Sequence, residues 1–170
     1  MNPDPFPPMP PSILFVAGLA LSSALLSGLL FVFSNFAIRA FDRLPGGGGI
    51  AAMQSVNAEI LNPGFFGVFA GTAAGSVMAL IGALRHWQHP ASAWVAAGAL
   101  LLLVGLYGVT AGINVPLNHQ LDRIDPGDAT AAAAWKGYLS RWQPWNHVRT
   151  LAAFLAAACF AIGALRMAGS

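Results

Sequence analysis

Four long apolar runs, parted by short polar connections, limit this chain to structures that a lipid bilayer tolerates. A bilayer core needs about 20 consecutive apolar residues in a helix. The first run, residues 13–33, supplies them, and three later runs are of similar length. Only 8% of the 170 residues are charged, whereas soluble domains carry about 25%. The chain therefore reads as an all-α integral membrane protein: a multi-pass four-helix bundle in one domain, residues 12–170, behind a Pro-rich flexible tail, residues 1–11. The first run is too long for the core of a secretory signal and has no basic start, so it reads as a retained helix. The net charge of +2 rests on few groups and gives no case for nucleic-acid binding. A single cysteine, Cys159, cannot form an internal disulfide and reads as a packing residue.

The boundaries follow from local chemistry. Ser12 is an expected N-cap for the first span, residues 12–41. Pro45 and the run Gly46 to Gly49 then form a flexible break. Residues 50–61 are too short and polar to cross; Ile50, Met53, Asn57 and Ile60 share one face, which predicts a short re-entrant or interfacial helix. Asn62-Pro63 opens the second span, residues 63–84, where Gly67, Gly71 and Gly75 form a small-residue face suited to close helix packing. The third span covers residues 91–119. Asp125-Pro126 is expected to cap an amphipathic helix with Trp135, Tyr138, Leu139 and Trp142 at spacings of three and four, which Gln143-Pro144 breaks. The fourth span covers residues 145–167.

Alternating spans put both termini on one side and the two polar connections on the other. The end of span one, the start of two, the end of three and the start of four then meet at one membrane face. Asn35, Arg39, Asn57, Asn62, Asn114, Asn118, His119, Asn146, His147 and Arg149 all belong to that face. Most of the flanking Arg and Lys residues lie there too, which by the positive-inside rule turns it to the cytoplasm.

Ionisable groups at membrane depth are costly and serve a site or a partner. Arg149 offers a permanent cation with a planar fork of donors. The asparagines can bind a ligand, or hydrogen-bond between helices and to carbonyls freed by Pro63, Pro116 and Pro144. His119 or His147 can act as a general base near neutral pH. Their spacing matches no metal-ligand motif, so no metal or cofactor is expected, although axial haem ligation by the pair needs only a facing geometry. Trp142 and Trp145 can line a pocket or anchor the interface.

Four blocks carry a resemblance: Phe33-Ser34-Asn35-Phe36, Met53-Gln54-Ser55-Val56-Asn57, Asn114-Val115-Pro116-Leu117-Asn118, and Trp142-Gln143-Pro144-Trp145-Asn146-His147-Val148-Arg149. In order and spacing the chain resembles the anthrone oxygenase family of small membrane proteins. The resemblance implies a four-helix membrane bundle, placed in the bacterial inner membrane. It also implies oxidation of an anthrone to an anthraquinone with O2, without an evident metal or flavin. Such chemistry needs a base, oxyanion donors and an aromatic-lined pocket, and this chain's candidates for catalysis are His147, His119 and Arg149. Its candidate substrate contacts are Asn35, Asn57, Asn114, Asn118, Trp142, Trp145 and Asn146. The partners expected are an apolar small molecule from the bilayer, membrane lipid and a second copy in a homo-oligomer. Two other classes stay open on the residues alone: a non-enzymatic binding or scaffold protein, and a haem or quinone redox protein.

Overall fold

The computed structural model describes residues 9–169. Residues 1–8, most of the expected Pro-rich tail, lie outside them. Among the described residues every regular element is helical: α1 (Pro11–Asp42), α2 (Gly48–Glu59), α3 (Pro63–Arg85), α4 (Ser92–Leu121) and α5 (Ala131–Ala168). All but α2 are long and apolar enough to cross a membrane, so the protein is a multi-pass membrane protein.

The span limits agree closely with hydropathy, and the differences have simple causes. α1 starts one residue before Ser12, because Pro11 has the fixed φ favoured at a first helical position and lacks the N–H that would go unpaired there. α3 opens at Asn62-Pro63 as expected, and Asn62 caps it, its Oδ1 accepting from the Phe65 amide at 2.9 Å. Asp125-Pro126 does not open the last helix. Asp125 accepts instead from the Gly127 amide within a turn, and α5 starts at Ala131.

The largest departure lies at Pro144. The expected amphipathic segment is helical, but it is not separate from the fourth span. α5 runs unbroken for 38 residues with Pro144 inside it. At 1.5 Å per residue it is about 57 Å long, well beyond a hydrocarbon core of about 30 Å. Proline costs a helix one backbone hydrogen bond. Here α5 is held on both sides of Pro144 by buried Trp135, Tyr138 and Trp142 before it and Asn146 and Arg149 after it. That tertiary grip outweighs the local preference to break.

The excess length of α5 divides the molecule into two apolar cores. The larger is the transmembrane core, with Leu19, Leu26, Leu102, Leu106 and Phe160 among its members. The smaller is a cap at the polar end, made of Ile38, Ile50, Met53, Leu121, Trp135, Tyr138 and Trp142. α1 packs along α5, and α4 lies between α3 and α5. Gly105 of α4 sets that closeness, since a Cβ there would stand 2.6 Å from the Ala152 Cβ. On α3 the expected glycine face is only partly used. Gly75 meets Leu19 of α1, whereas a Cβ at Gly67 or Gly71 would meet nothing within 4 Å.

The glycine run after α1 is a packed seam and not a loose break. A Cβ on Gly47 would overlap the Pro126 carbonyl, and one on Gly49 would crowd Trp135. Two further contacts dock α2. Gln54 donates from Nε2 to the Leu121 and Ile124 carbonyls, at 2.9 Å each. Leu121 is the last residue of α4 and Ile124 lies in the turn that follows it, so Gln54 ties α2 to that helix end. The Trp135 indole N–H donates to Asp42 at 2.9 Å.

Candidate functional site

A cavity of about 310 Å³ lies where the two cores meet. Leu26 and Leu106 come to its wall from the transmembrane core, Met53 and Trp142 from the cap. Most of its lining is apolar; the polar exceptions are Asn57, Thr110, Asn118, His119, Asp122, Trp142, Asn146 and Arg149. The size is at the lower end of that usual for small-molecule sites.

Arg149 dominates the polar wall. It is 7% exposed and pairs with no carboxylate among the described residues. Its Nη2 donates to Asn146 Oδ1 at 2.6 Å and its Nη1 to Thr110 Oγ1 at 3.3 Å. The guanidinium carbon stands 5.3 Å from the Trp142 ring centroid, a cation–π contact. Neutral dipoles and a ring face thus carry the whole burden of a buried cation, an arrangement that lowers the penalty without cancelling the charge.

Asn146 holds this arrangement in place. It is fully buried, and its Nδ2 donates to the Leu30 carbonyl at 2.9 Å and to Ser34 Oγ at 2.7 Å. Both acceptors are on α1. Thr150, one turn further, lies 3.2 Å from Ser34 through their hydroxyls. Asn146 therefore locks the register between α1 and α5 and leaves its carbonyl oxygen to Arg149.

A second chain of amides lies toward the cap. Tyr138 donates its hydroxyl proton to Asn118 Oδ1 at 2.9 Å, and Asn118 Nδ2 donates to Asn57 Oδ1 at 3.0 Å. Among the described residues, three buried N–H donors then have no hydrogen-bond partner: Asn57 Nδ2, Trp142 Nε1 and Arg149 Nε. All three residues line the same cavity. Buried polar groups are almost always paired, so three unpaired donors around one cavity are a pattern and not noise.

The expected site residues separate into two groups. Asn57, Asn118, His119, Trp142, Asn146 and Arg149 come together on the cavity wall. Asn114 stands just behind it, buried, donating to the Trp142 carbonyl at 3.3 Å. Asn35, Trp145 and His147 do not join them. All three are exposed and lie off the cavity, because the faces of α1 and α5 turned inward carry Ser34, Asn146 and Arg149 instead. His119 and His147 therefore do not face each other across a shared space. Among the described residues, no three His, Cys, Asp or Glu side chains group as a metal would require.

Two residues were not expected at the site. Thr110 accepts from Arg149, and Tyr138 sets the amide chain, although its spacing with Trp135 and Trp142 suggested only an interfacial stripe. Thr110 had a signal: it precedes Asn114 and Asn118 by four and eight residues, on the same helical row. A π-helical turn over Thr110–Asn114 adjusts that row, a feature frequent at functional sites.

The family model described as "Anthrone oxygenase" matches residues 63–159. The match takes in α3, α4 and most of α5, and with them Thr110, Asn118, Trp142, Asn146 and Arg149; α1 and α2 lie outside it. No curated protein and no solved structure matches the chain. With more than half its length matched, and that part contributing most of the polar cavity wall, the chain belongs to the anthrone oxygenase family.

Proposed function

We propose that this protein is an oxygenase of a flat, apolar phenolic or quinone-type molecule drawn from the bilayer, with the cavity at the junction of its two cores as the active site. The observation that carries the reading is Arg149: a buried cation with no acid partner and an unpaired Nε among the described residues, on the wall of a mainly apolar cavity. Such a wall favours a ligand whose body is apolar and whose oxygen gathers negative charge during reaction.

An anthrone-type substrate has this character. Loss of a proton from its CH2 group gives a carbanion delocalised into a phenolate oxygen. Arg149 and the Trp142 indole N–H are the donors for that oxygen. His119, at the cavity rim, is the base; Asp122 lies one helical turn beyond it on the same wall. The electron-rich anion passes one electron to O2, and the carbon radical and superoxide combine to a peroxide at that carbon. Loss of water leaves a carbonyl, so that one CH2 and one O2 become one C=O and one H2O. Access from the membrane is consistent with Leu61 and Phe66, which line the cavity while 75% and 62% exposed on the outer surface.

The test uses the full chain purified in detergent, with anthrone as the probe and substrate-dependent O2 uptake as the readout. Arg149→Gln keeps a planar N–H donor group and removes the charge. Uptake is expected to fall about 100-fold, the usual effect of losing one oxyanion donor. His119→Ala should fall by a similar factor, as for a general base. Uptake unchanged in both variants, with each protein monodisperse, would overturn the reading. Binding of ring compounds with no turnover in the unaltered protein would make this a binding protein instead.

A further inference from the structure

We infer that the cavity recognises its ligand at two ends, and that Tyr138 acts through Asn118 as the positioning residue for the second end. This rests on the cavity being the ligand site, as proposed above. One pole is the Arg149–Trp142 pair. The other is the side-chain amide of Asn57, whose Nδ2 is buried and unpaired. The helical register separates the poles. Arg149 is anchored to Thr110 and Asn57 to Asn118, eight residues further along α4. At the helical rise these anchors are on the order of 10 Å apart. A fused three-ring system that sets its central-ring oxygen on the first pole reaches the second with an oxygen on an outer ring.

What fixes the second pole as a donor is the order of the amide chain. An asparagine amide offers either N–H2 or C=O, depending on how it is turned. The Tyr138 hydroxyl donates to Asn118 Oδ1, so Asn118 must turn its Nδ2 away from Tyr138. That Nδ2 donates to Asn57 Oδ1, so Asn57 turns its own Nδ2 outward from the chain. Tyr138 is itself held: it is 3% exposed and its ring stacks on Trp135 and Trp142 at 5.6 and 6.1 Å. The chain therefore ends in an N–H2 group with no partner among the described residues, on a residue that lines the cavity. The ligand class this selects is a planar molecule with an anionic or strongly polarised oxygen at one end and an oxygen acceptor at the other. Without the Tyr138 hydroxyl, both amides are free to reverse, and the wall can present a carbonyl to the ligand.

The experiment compares two probes on the purified full chain by quenching of tryptophan fluorescence. 2-Hydroxyanthraquinone offers a central-ring carbonyl and an outer-ring hydroxyl, and is the two-ended probe; anthraquinone has no outer-ring oxygen, and is the one-ended probe. The two-ended probe is expected to bind about tenfold more tightly, equivalent to about 1.4 kcal/mol. Asn57→Ala should reduce that ratio to about one, weakening the two-ended probe more than the one-ended probe. Tyr138→Phe should reduce it in the same way, whereas a merely structural loss would weaken both probes in parallel. Arg149→Gln should weaken both probes and keep their ratio. A ratio of one in the unaltered protein, or a ratio that survives Asn57→Ala, overturns two-ended recognition alone. Failure of either probe to bind overturns the ring-binding site itself, and this inference with it.

Discussion

Arg149 Nη2 donates to Asn146 Oδ1 at 2.6 Å, and Asn146 donates onward to the Leu30 carbonyl and the Ser34 hydroxyl of α1. One asparagine thus ties the cation to a neighbouring helix. Asn146→Ala removes an acceptor from a buried charge and two contacts to α1. The expected loss of stability is about 1–3 kcal/mol, the range for leaving such a group unsatisfied. Ser34→Ala, which removes one neutral partner, should cost about 1 kcal/mol and leave anthrone-dependent O2 uptake within a few-fold of normal. Thermal unfolding in detergent measures both; equal melting of Asn146→Ala and the unaltered protein would refute the coupling.

The glycines of the bundle are not equivalent. Gly105→Val should destabilise by about 1–3 kcal/mol, because its Cβ would stand 2.6 Å from that of Ala152 and two helix backbones must part. Gly67→Ala and Gly71→Ala meet no atom within 4 Å and should melt as the unaltered protein does, or slightly higher. A melting series of the three variants checks this. A large loss in either α3 variant would point to a contact with another chain on that face.

Docking of the cap depends on Gly47. A methyl group there would overlap the Pro126 carbonyl, so Gly47→Ala should loosen the cap while the spans remain folded. Trypsin cleavage after exposed Arg43 is expected to rise about tenfold, the effect of about 1.4 kcal/mol on a local opening equilibrium. Circular dichroism should stay essentially unchanged. Cleavage at the original rate would show that the seam tolerates a side chain.

The turn before α5 carries a pH dependence of defined sign. The amide and hydroxyl of Thr130 donate to Asp128 Oδ1 at 2.7 and 2.9 Å, and these bonds hold its carboxyl below the ordinary aspartate range. A depressed folded-state pKa means that the ionised form favours the folded turn. That contribution is complete above the unfolded value of about 3.9 and is lost as pH falls through the lower folded value. Hydrogen-exchange protection of the Ala131 to Ala134 amides should therefore drop between pH 5 and pH 3, conditions chosen to bracket that window (about 3.9). In Asp128→Ala the drop should vanish. A drop of equal size in that variant would assign it to another group.

Much of the cavity wall was legible in the sequence. Asn57, Asn118, His119, Trp142, Asn146 and Arg149 could be assigned to one membrane face by counting alternating spans, and they line one cavity. Asn35, Trp145 and His147 could not be sorted from them in that way. Alternation tells which end of a bundle a residue occupies; it does not tell which side of a helix faces inward. That side is set by packing, and on α1 it is taken by Ser34, bonded to Asn146. The chief misreading had a single cause. With a break at Pro144, Tyr138 and Trp142 belong to one helix and Asn146 and Arg149 to another. With the helix continuous, Trp135, Tyr138, Trp142, Asn146 and Arg149 form one stripe at spacings of three and four, buried along its whole length.

The sequence by itself determined that this chain crosses a membrane four times and gathers its polar groups at one end, because lipid admits only long apolar helices and short connections force them to alternate. Only the tertiary structure decided that α5 passes through Pro144 as one helix, since the contacts that hold it come from α1, α4 and the cap. It also decided that, among the described residues, Arg149 has no acid partner and three donors on residues lining one cavity stay unpaired. Pairing is a matter of a few ångströms between residues far apart in the chain, and spacing along a sequence does not specify it.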